Sequence, residues 1–175
     1  MSGIKYSLRQ ESTSFSIGTT NLRSSNGSLI DTNGCVALLV LSGFAVATIN
    51  FEKRILRKGD FVLLFYDSTF SMLSISAAFS VRYVSFAYHL IEEAIYKPLS
   101  INFWNTIYSN PVFRPNERDF KLLVEWWYQM EWVNNIKDYD YQEEILKNNI
   151  RNLLVATDIE IMDHAGDSLR NSRGH

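Results

Sequence analysis

Cysteine is almost missing from this chain. Cys35 is the single one among 175 residues, so no intrachain disulfide can form and the fold must hold by burial. Its neighbours, Val36-Ala37-Leu38-Leu39-Val40-Leu41, are all apolar, which predicts a buried, inert thiol and argues against a nucleophile. That same run is the longest apolar stretch and falls far short of the ~20 residues that span a bilayer. Met1 to Ser16 has Lys5 and Arg9 but lacks the apolar core of a secretory signal. A cytoplasmic chain with no membrane partner is expected.

An excess of one charge is also missing. The formal net charge of −2 supplies no basic field of the kind that carries phosphate-backbone affinity. One basic cluster stands out, Lys53, Arg54, Arg57 and Lys58, but Glu52 and Asp60 flank it. On a predicted hairpin this is the pattern of a charged edge strand that resists edge-to-edge pairing, more than a phosphate contact. No Gly-rich phosphate loop and no Gly-x-Ser-x-Gly elbow occurs. Asp163-His164 looks like a dyad, yet adjacent helical residues diverge by about 100°, and a solvated histidine near a helix end explains it. Glu92-Glu93 and Glu143-Glu144 read as polar helix faces. Enzymatic chemistry finds no support, and none is expected.

What is present is apolar and aromatic: 46% hydrophobic and 14% aromatic residues, enough for one core with a satellite helical layer. Residues 1–33 are rich in Ser, Thr, Asn and Gly, with Ser14-Phe15-Ser16-Ile17 as an edge-strand alternation. From Gly34 to Tyr88 β-branched and aromatic residues alternate with regular turn signals. The spacing predicts strands over 35–41, 44–51, 52–56, 61–66, 69–76 and 81–88. Phe61-Val62-Leu63-Leu64-Phe65-Tyr66 is too apolar to be half exposed, so that strand should lie between two packed layers. Short strands at this spacing suggest a sandwich or jelly-roll barrel.

Beyond Tyr88 the period becomes helical. A short piece over 89–96 should stop before Pro98, and Ser100 should cap another through Tyr108. Asn116 is placed to accept the amide of Asp119 and open a helix with Phe120, Leu123, Trp127 and Met130 on one stripe. Leu122, Trp126 and Val133 on the opposite flank leave little of that helix for water, and Trp126, Trp127, Tyr128 and Trp132 read as core against the sheet. A last helix, roughly 140–165 and ended by Gly166, puts Leu146, Ile150, Leu153, Leu154, Thr157 and Ile161 on one face, with Glu143, Glu144, Lys147, Arg151 and Asp158 on the other. Two roles stay open for the apolar stripe: packing on the chain's own sheet, or pairing with a second copy.

The segments Gly43-Phe-Ala-Val-Ala-Thr-Ile-Asn50, Leu56-Arg-Lys-Gly59-Asp60-Phe61-Val62-Leu63-Leu64 and Ser76-Ala-Ala-Phe79-Ser-Val-Arg-Tyr-Val-Ser-Phe, with the helices to Ile161, resemble the cupin-type effector and dimerisation domain of AraC-family transcription regulators. Where that family usually carries a proline after the strand following Gly-Asp, this chain has Tyr66 or Asp67. The resemblance implies a mainly β fold with α, a cupin-like (double-stranded β-helix or jelly-roll) barrel followed by a helical C-terminal extension. The expected organisation is a flexible arm over 1–14, the barrel over 15–88, the helical extension over 89–166 and a polar tail over 167–175. It further implies a small-molecule effector, a homodimer built on Leu146, Ile150, Leu153, Leu154 and Thr157, and DNA contact only through two helix-turn-helix units that this chain does not contain.

The effector would sit in the barrel mouth, with Thr48, Asn50, Tyr66, Tyr83 and Ser85 as candidate ligand-binding residues. The period of two leaves open whether they point inward or outward. The arm before Phe15 would fold over that mouth and couple ligand to dimer. A stand-alone, non-metal cupin binding module is the second reading. A cupin metalloenzyme is the third, and it needs a His-x-His pair on one strand to present imidazoles to one face. Counting back from Glu52, residues such as Val46 and Thr48 hold those positions, while His89, His164 and His175 lie outside the strands. No metal and no cofactor is therefore expected.

Overall fold

The computed structural model describes residues 4–173. Its strands are β1 (Phe15–Thr20), β2 (Cys35–Ser42), β3 (Phe44–Ile49), β4 (Glu52–Arg57), β5 (Phe61–Phe65), β6 (Phe70–Ile75), β7 (Ser80–Phe86) and β8 (Val112–Phe113). Its helices are α1 (Tyr88–Ala94), α2 (Phe103–Ser109), α3 (Glu117–Asn134) and α4 (Tyr139–Arg173). Two antiparallel sheets result, one of five strands in the order β1-β7-β2-β5-β8 and one of three in the order β4-β3-β6. This is the mainly β, cupin-like architecture with a helical extension that the sequence predicts.

The apolar pattern of each strand follows from what covers it. In β2, Val36, Leu38 and Val40 join one core cluster while Cys35, Ala37 and Leu39 join another. In β5, Val62 and Leu64 face the first and Phe61, Leu63 and Phe65 the second. The five-stranded sheet thus lies between the three-stranded sheet and the helices, as the unbroken apolar run of β5 requires. On β3 only Ala45, Ala47 and Ile49 are buried, and its outer residues alternate with them.

Corners are set by residues with a specific job. Gly59 takes φ +90°, and the buried Asp60 accepts the amide of Arg57 through Oδ2 at 2.9 Å. There the chain leaves the three-stranded sheet and enters the five-stranded one, which explains the Leu-x-x-Gly-Asp signal. Between β3 and β4, Asn50 (φ 51°) and Phe51 (φ 69°) form the two-residue loop of a hairpin, a type that requires positive φ at both central positions. Asn tolerates this; Phe does so at a steric cost.

Asn116 accepts the amide of Asp119 at 2.8 Å and opens α3 as predicted. Trp126 and Trp127 are buried, with rings 5.1 Å apart, and the Trp126 indole N–H donates to the carbonyl of Asn149 in α4. Tyr128 and Trp132 are instead exposed, and so is Leu122. One helix face can touch the sheet and α4 at once, and these three side chains lie off it.

Three further expectations are corrected. The α4 stripe of Leu146, Ile150, Leu153, Leu154 and Thr157 is buried in the chain's own core, where α4 packs on α1 and α3. These residues cannot form a dimer interface without unpacking the monomer. Helix α4 also continues past Gly166 to Arg173, because a lone glycine lowers helix propensity by only about 1 kcal/mol and does not enforce a stop. Finally, α2 begins after Ser100. The Ser100 amide donates to Asp158 Oδ2 at 2.8 Å and its hydroxyl to Oδ1 at 2.5 Å, so Asp158 is buried instead of lying on a solvated face.

Candidate functional site

The five candidate ligand residues do not converge. Thr48 lies on the outer face of β3, between Lys53 and Ser71 of the neighbouring strands. Asn50 is a turn residue whose side chain is fully employed: Oδ1 accepts the Thr69 amide at 3.0 Å and Nδ2 donates to the Tyr108 carbonyl at 2.8 Å. Tyr83 and Ser85 share the inner face of β7 with Val81, turned toward the core between the sheets. Tyr83 fits because Gly18 stands opposite on β1: a Cβ there would meet the phenol oxygen at 2.9 Å. Tyr66, at the far end of β5, is 61% exposed and its ring lies 5.5 Å from Tyr88. The space between the sheets is taken up by Val, Leu, Ala, Ile, Phe and Met side chains that touch one another. An apolar interior closed by its own side chains is a core.

Elsewhere, two concave surfaces stand out among the described residues. The larger is a groove of about 1020 Å³ between residues 5–13 and β1, with Asp31 and Asn134 at its rim. Leu8, Phe15 and Ile17 supply apolar wall, and Lys5, Arg9, Glu11 and Asp31 supply charge of both signs. The arm that forms it, expected to be mobile, is tied to the sheets. The Tyr6 amide donates to the Leu29 carbonyl and the Asp31 amide to the Tyr6 carbonyl, each at 2.8 Å, and Leu8 is buried. The Arg9 guanidinium closes the turn below by donating to the Thr13 carbonyl at 2.7 Å. These few bonds are backbone pairing that glycine- and serine-rich sequence does not advertise, so only the burial of Leu8 was in reach of pattern reading.

The smaller concavity is a cleft of about 240 Å³ where the end of β5 meets α1 and α2, lined by Phe65, Tyr66, Tyr88, Glu92 and Trp104 among others. Gly34 forms part of its floor with φ +87°, and a Cβ there would lie 2.0 Å from the Phe86 carbonyl oxygen. Tyr66 is the one candidate ligand residue that lines either concavity.

No group of three or more His, Cys, Asp or Glu side chains is placed to hold a metal among the described residues. His89 lies 3.4 Å from Glu143, and His164 lies 3.8 Å from Glu160; His175 is outside the described residues. Burial pushes the Cys35 thiol far above its ordinary range. Lys147 holds the Glu93 carboxyl below the usual carboxylate range through a hydrogen bond at 2.8 Å and is itself raised by it. Lys53, Arg54 and Arg57 of the basic cluster lie on β4, an edge strand, with Lys58 in the turn after it, and Arg54 is engaged by Glu52 at 3.0 Å. No helix among the described residues is long and apolar enough to cross a membrane.

No family model and no curated protein matches the chain. Among solved structures it is similar to an apo form of ToxT from Vibrio cholerae strain SCE256, at 16% identity and a TM-score of 0.55, over 87% of this chain and 58% of that one. Wild-type ToxT from the same strain, solved with an unsaturated fatty acid bound, matches at 17% identity and a TM-score of 0.48, over 83% of this chain and 55% of that one. The chain spans a little over half the length of these structures. At such identity the likeness establishes the fold: a two-sheet domain followed by helices in the same arrangement as part of ToxT.

Proposed function

We propose that this chain is the effector-sensing domain of an AraC-type transcription regulator, a binding module and not a catalyst. The observation that carries the reading is the agreement between sequence order and fold: the AraC-like segments resemble that family's sensor domain, and the fold matches ToxT, an AraC-family regulator, over 87% of the chain. DNA contact, on this reading, belongs to helix-turn-helix units outside these residues. The seat that favours a small-molecule effector is the groove under the arm. Its volume of about 1020 Å³ is at the upper end of the range typical of ligand pockets, ~300–1,000 Å³, and it mixes apolar wall with a few charged groups.

The arm then couples ligand to the rest of the domain, because a ligand shifts an equilibrium only through contacts that differ between its states. Dimerisation remains part of the proposal, carried by surfaces other than the buried α4 stripe. Two experiments test it. Reading the coding frame beyond His175 is expected to reveal two helix-turn-helix patterns; an immediate stop codon would leave the second reading, a stand-alone binding module. Deleting residues 1–13 from the full-length product should abolish the response of a reporter promoter to the effector, and an unchanged response would remove the arm from the mechanism.

A further inference from the structure

We infer that the small cleft between β5, α1 and α2 is a binding site for a small alkylammonium cation, separate from the arm groove. The argument starts from helix geometry: Tyr88, Ile91, Glu92 and Ile95 stand at i, i+3, i+4 and i+7, so one stripe of α1 and its cap faces the cleft. Two other ionisable side chains on that helix are engaged, Glu93 with Lys147 at 2.8 Å and His89 with Glu143 at 3.4 Å. Glu92 has no cationic partner among the described residues, and no lysine or arginine lines the cleft. Glu92 is exposed at the edge of the cleft, and a carboxylate without a cationic partner favours a cation there and disfavours an anion.

The walls say which kind of cation. Tyr66 and Tyr88 meet edge to face with centroids 5.5 Å apart, and Phe65 and Trp104 do so at 4.9 Å. Tyr66, Tyr88 and Trp104 remain 61%, 48% and 44% exposed, and their side chains make no hydrogen bond among the described residues. Elsewhere on the surface, exposed rings already carry a cation: Arg82 lies over Tyr128 at 5.0 Å and Arg151 over Tyr96 at 4.0 Å. The cleft rings touch one another edge to face, and among the described residues no cation lies over them. Such faces with one carboxylate suit a cation wrapped in methyl groups, whose weak hydration is readily exchanged for aromatic contact. A volume of about 240 Å³, roughly eight waters at ~30 Å³ each, is enough for a group of choline size.

The test is titration of the whole chain with choline, tetramethylammonium and 3,3-dimethylbutanol, the neutral isostere of choline, followed by amide and indole proton–nitrogen NMR. Expected are saturable shifts with both cations, centred on the Trp104 indole and the α1 amides, and binding of the neutral alcohol weaker by about tenfold. Glu92→Gln, a surface change that leaves the rings in place, should weaken choline by a similar factor. Tyr66→Leu, which keeps the apolar wall and removes the ring face, should weaken it while sparing the alcohol. Equal binding of alcohol and choline would overturn the assignment and leave a merely apolar recess. So would unaltered choline binding by Glu92→Gln, shifts that map to the arm groove, or no saturation at all.

Discussion

The two sheets are built from different alphabets because they occupy different solvents. The five-stranded sheet is covered on both faces, and β2 and β5 accordingly read as unbroken apolar runs. The three-stranded sheet is covered on one face, so Ala45, Ala47, Ile49, Leu56, Phe70 and Met72 are buried while Phe44, Ile55 and Leu73 stay exposed. Strand hydrophobicity therefore reports the number of covered faces and not the presence of a strand. The helical layer is what makes the difference: without it, Leu63 and Leu39 would lose their cover.

That contrast predicts a graded response to mutation. The largest effect belongs to the doubly covered sheet: Leu63→Ala, toward the helices, and Leu38→Ala, toward the other sheet, should each cost about 2–5 kcal/mol in chemical denaturation. If Leu63→Ala proved neutral, the helical layer would not be packed on the sheet. Next comes the link that pins the α1–α2 connection to α4. Asp158→Ala leaves the Ser100 amide and hydroxyl without their partner, and about 1–3 kcal/mol should be lost.

A gain is expected at the open sheet's hairpin. Phe51→Gly relieves a φ of +69° at a side chain that is 83% exposed, and should raise stability by up to about 1 kcal/mol. Thr48→Val, on the outer face of that sheet, should change stability by no more than about 0.5 kcal/mol; a large loss there would mean that the face is covered in solution.

The smallest effect is electrostatic. The neighbouring Asp119 carboxyl of α3 raises the pKa of Glu160 of α4. A raised folded-state value means the contribution to stability is present below the ordinary carboxylate pKa and lost as the pH rises through the raised one. Glu160→Gln should flatten that dependence and stabilise the neutral-pH form by about 0.5 kcal/mol or less, since solvent screens an exposed pair. A thermal melt series from pH 4 to pH 7 reads the difference.

Most strands were legible because turn and pattern agreed: Gly43, Gly59 and the Asp67-Ser68 pair separate runs whose bounds fall within about two residues of those observed, whereas the Asn50-Phe51 turn was read as strand. Beyond them, β8 was not legible, since Val112-Phe113 pairs with β5 through only two residues and carries no period. The α4 stripe was legible as a stripe and not as to its partner, because a helix face looks the same whether it meets its own sheet or a second chain. Asp158 was misplaced for the same reason, since a carboxylate on a helix face advertises solvent until a serine from another segment reaches it. Sequence placed Tyr66 at a barrel mouth, whereas it lines the cleft by α1 and α2 with Trp104 and Glu92, whose convergence depends on how those helices dock and not on any spacing along the chain.

Cys35 sits on the helix-facing side of β2, sealed beneath that layer. Because a thiol must reach solvent and ionise before it reacts, a bulky disulfide reagent can modify this chain only when the helices lift away or the whole molecule unfolds. The rate of that single labelling event, compared with global unfolding, is thus a clock for how often the helical layer breathes. A ligand held by α1 would slow it, and one held only by the arm would leave it running at the same pace.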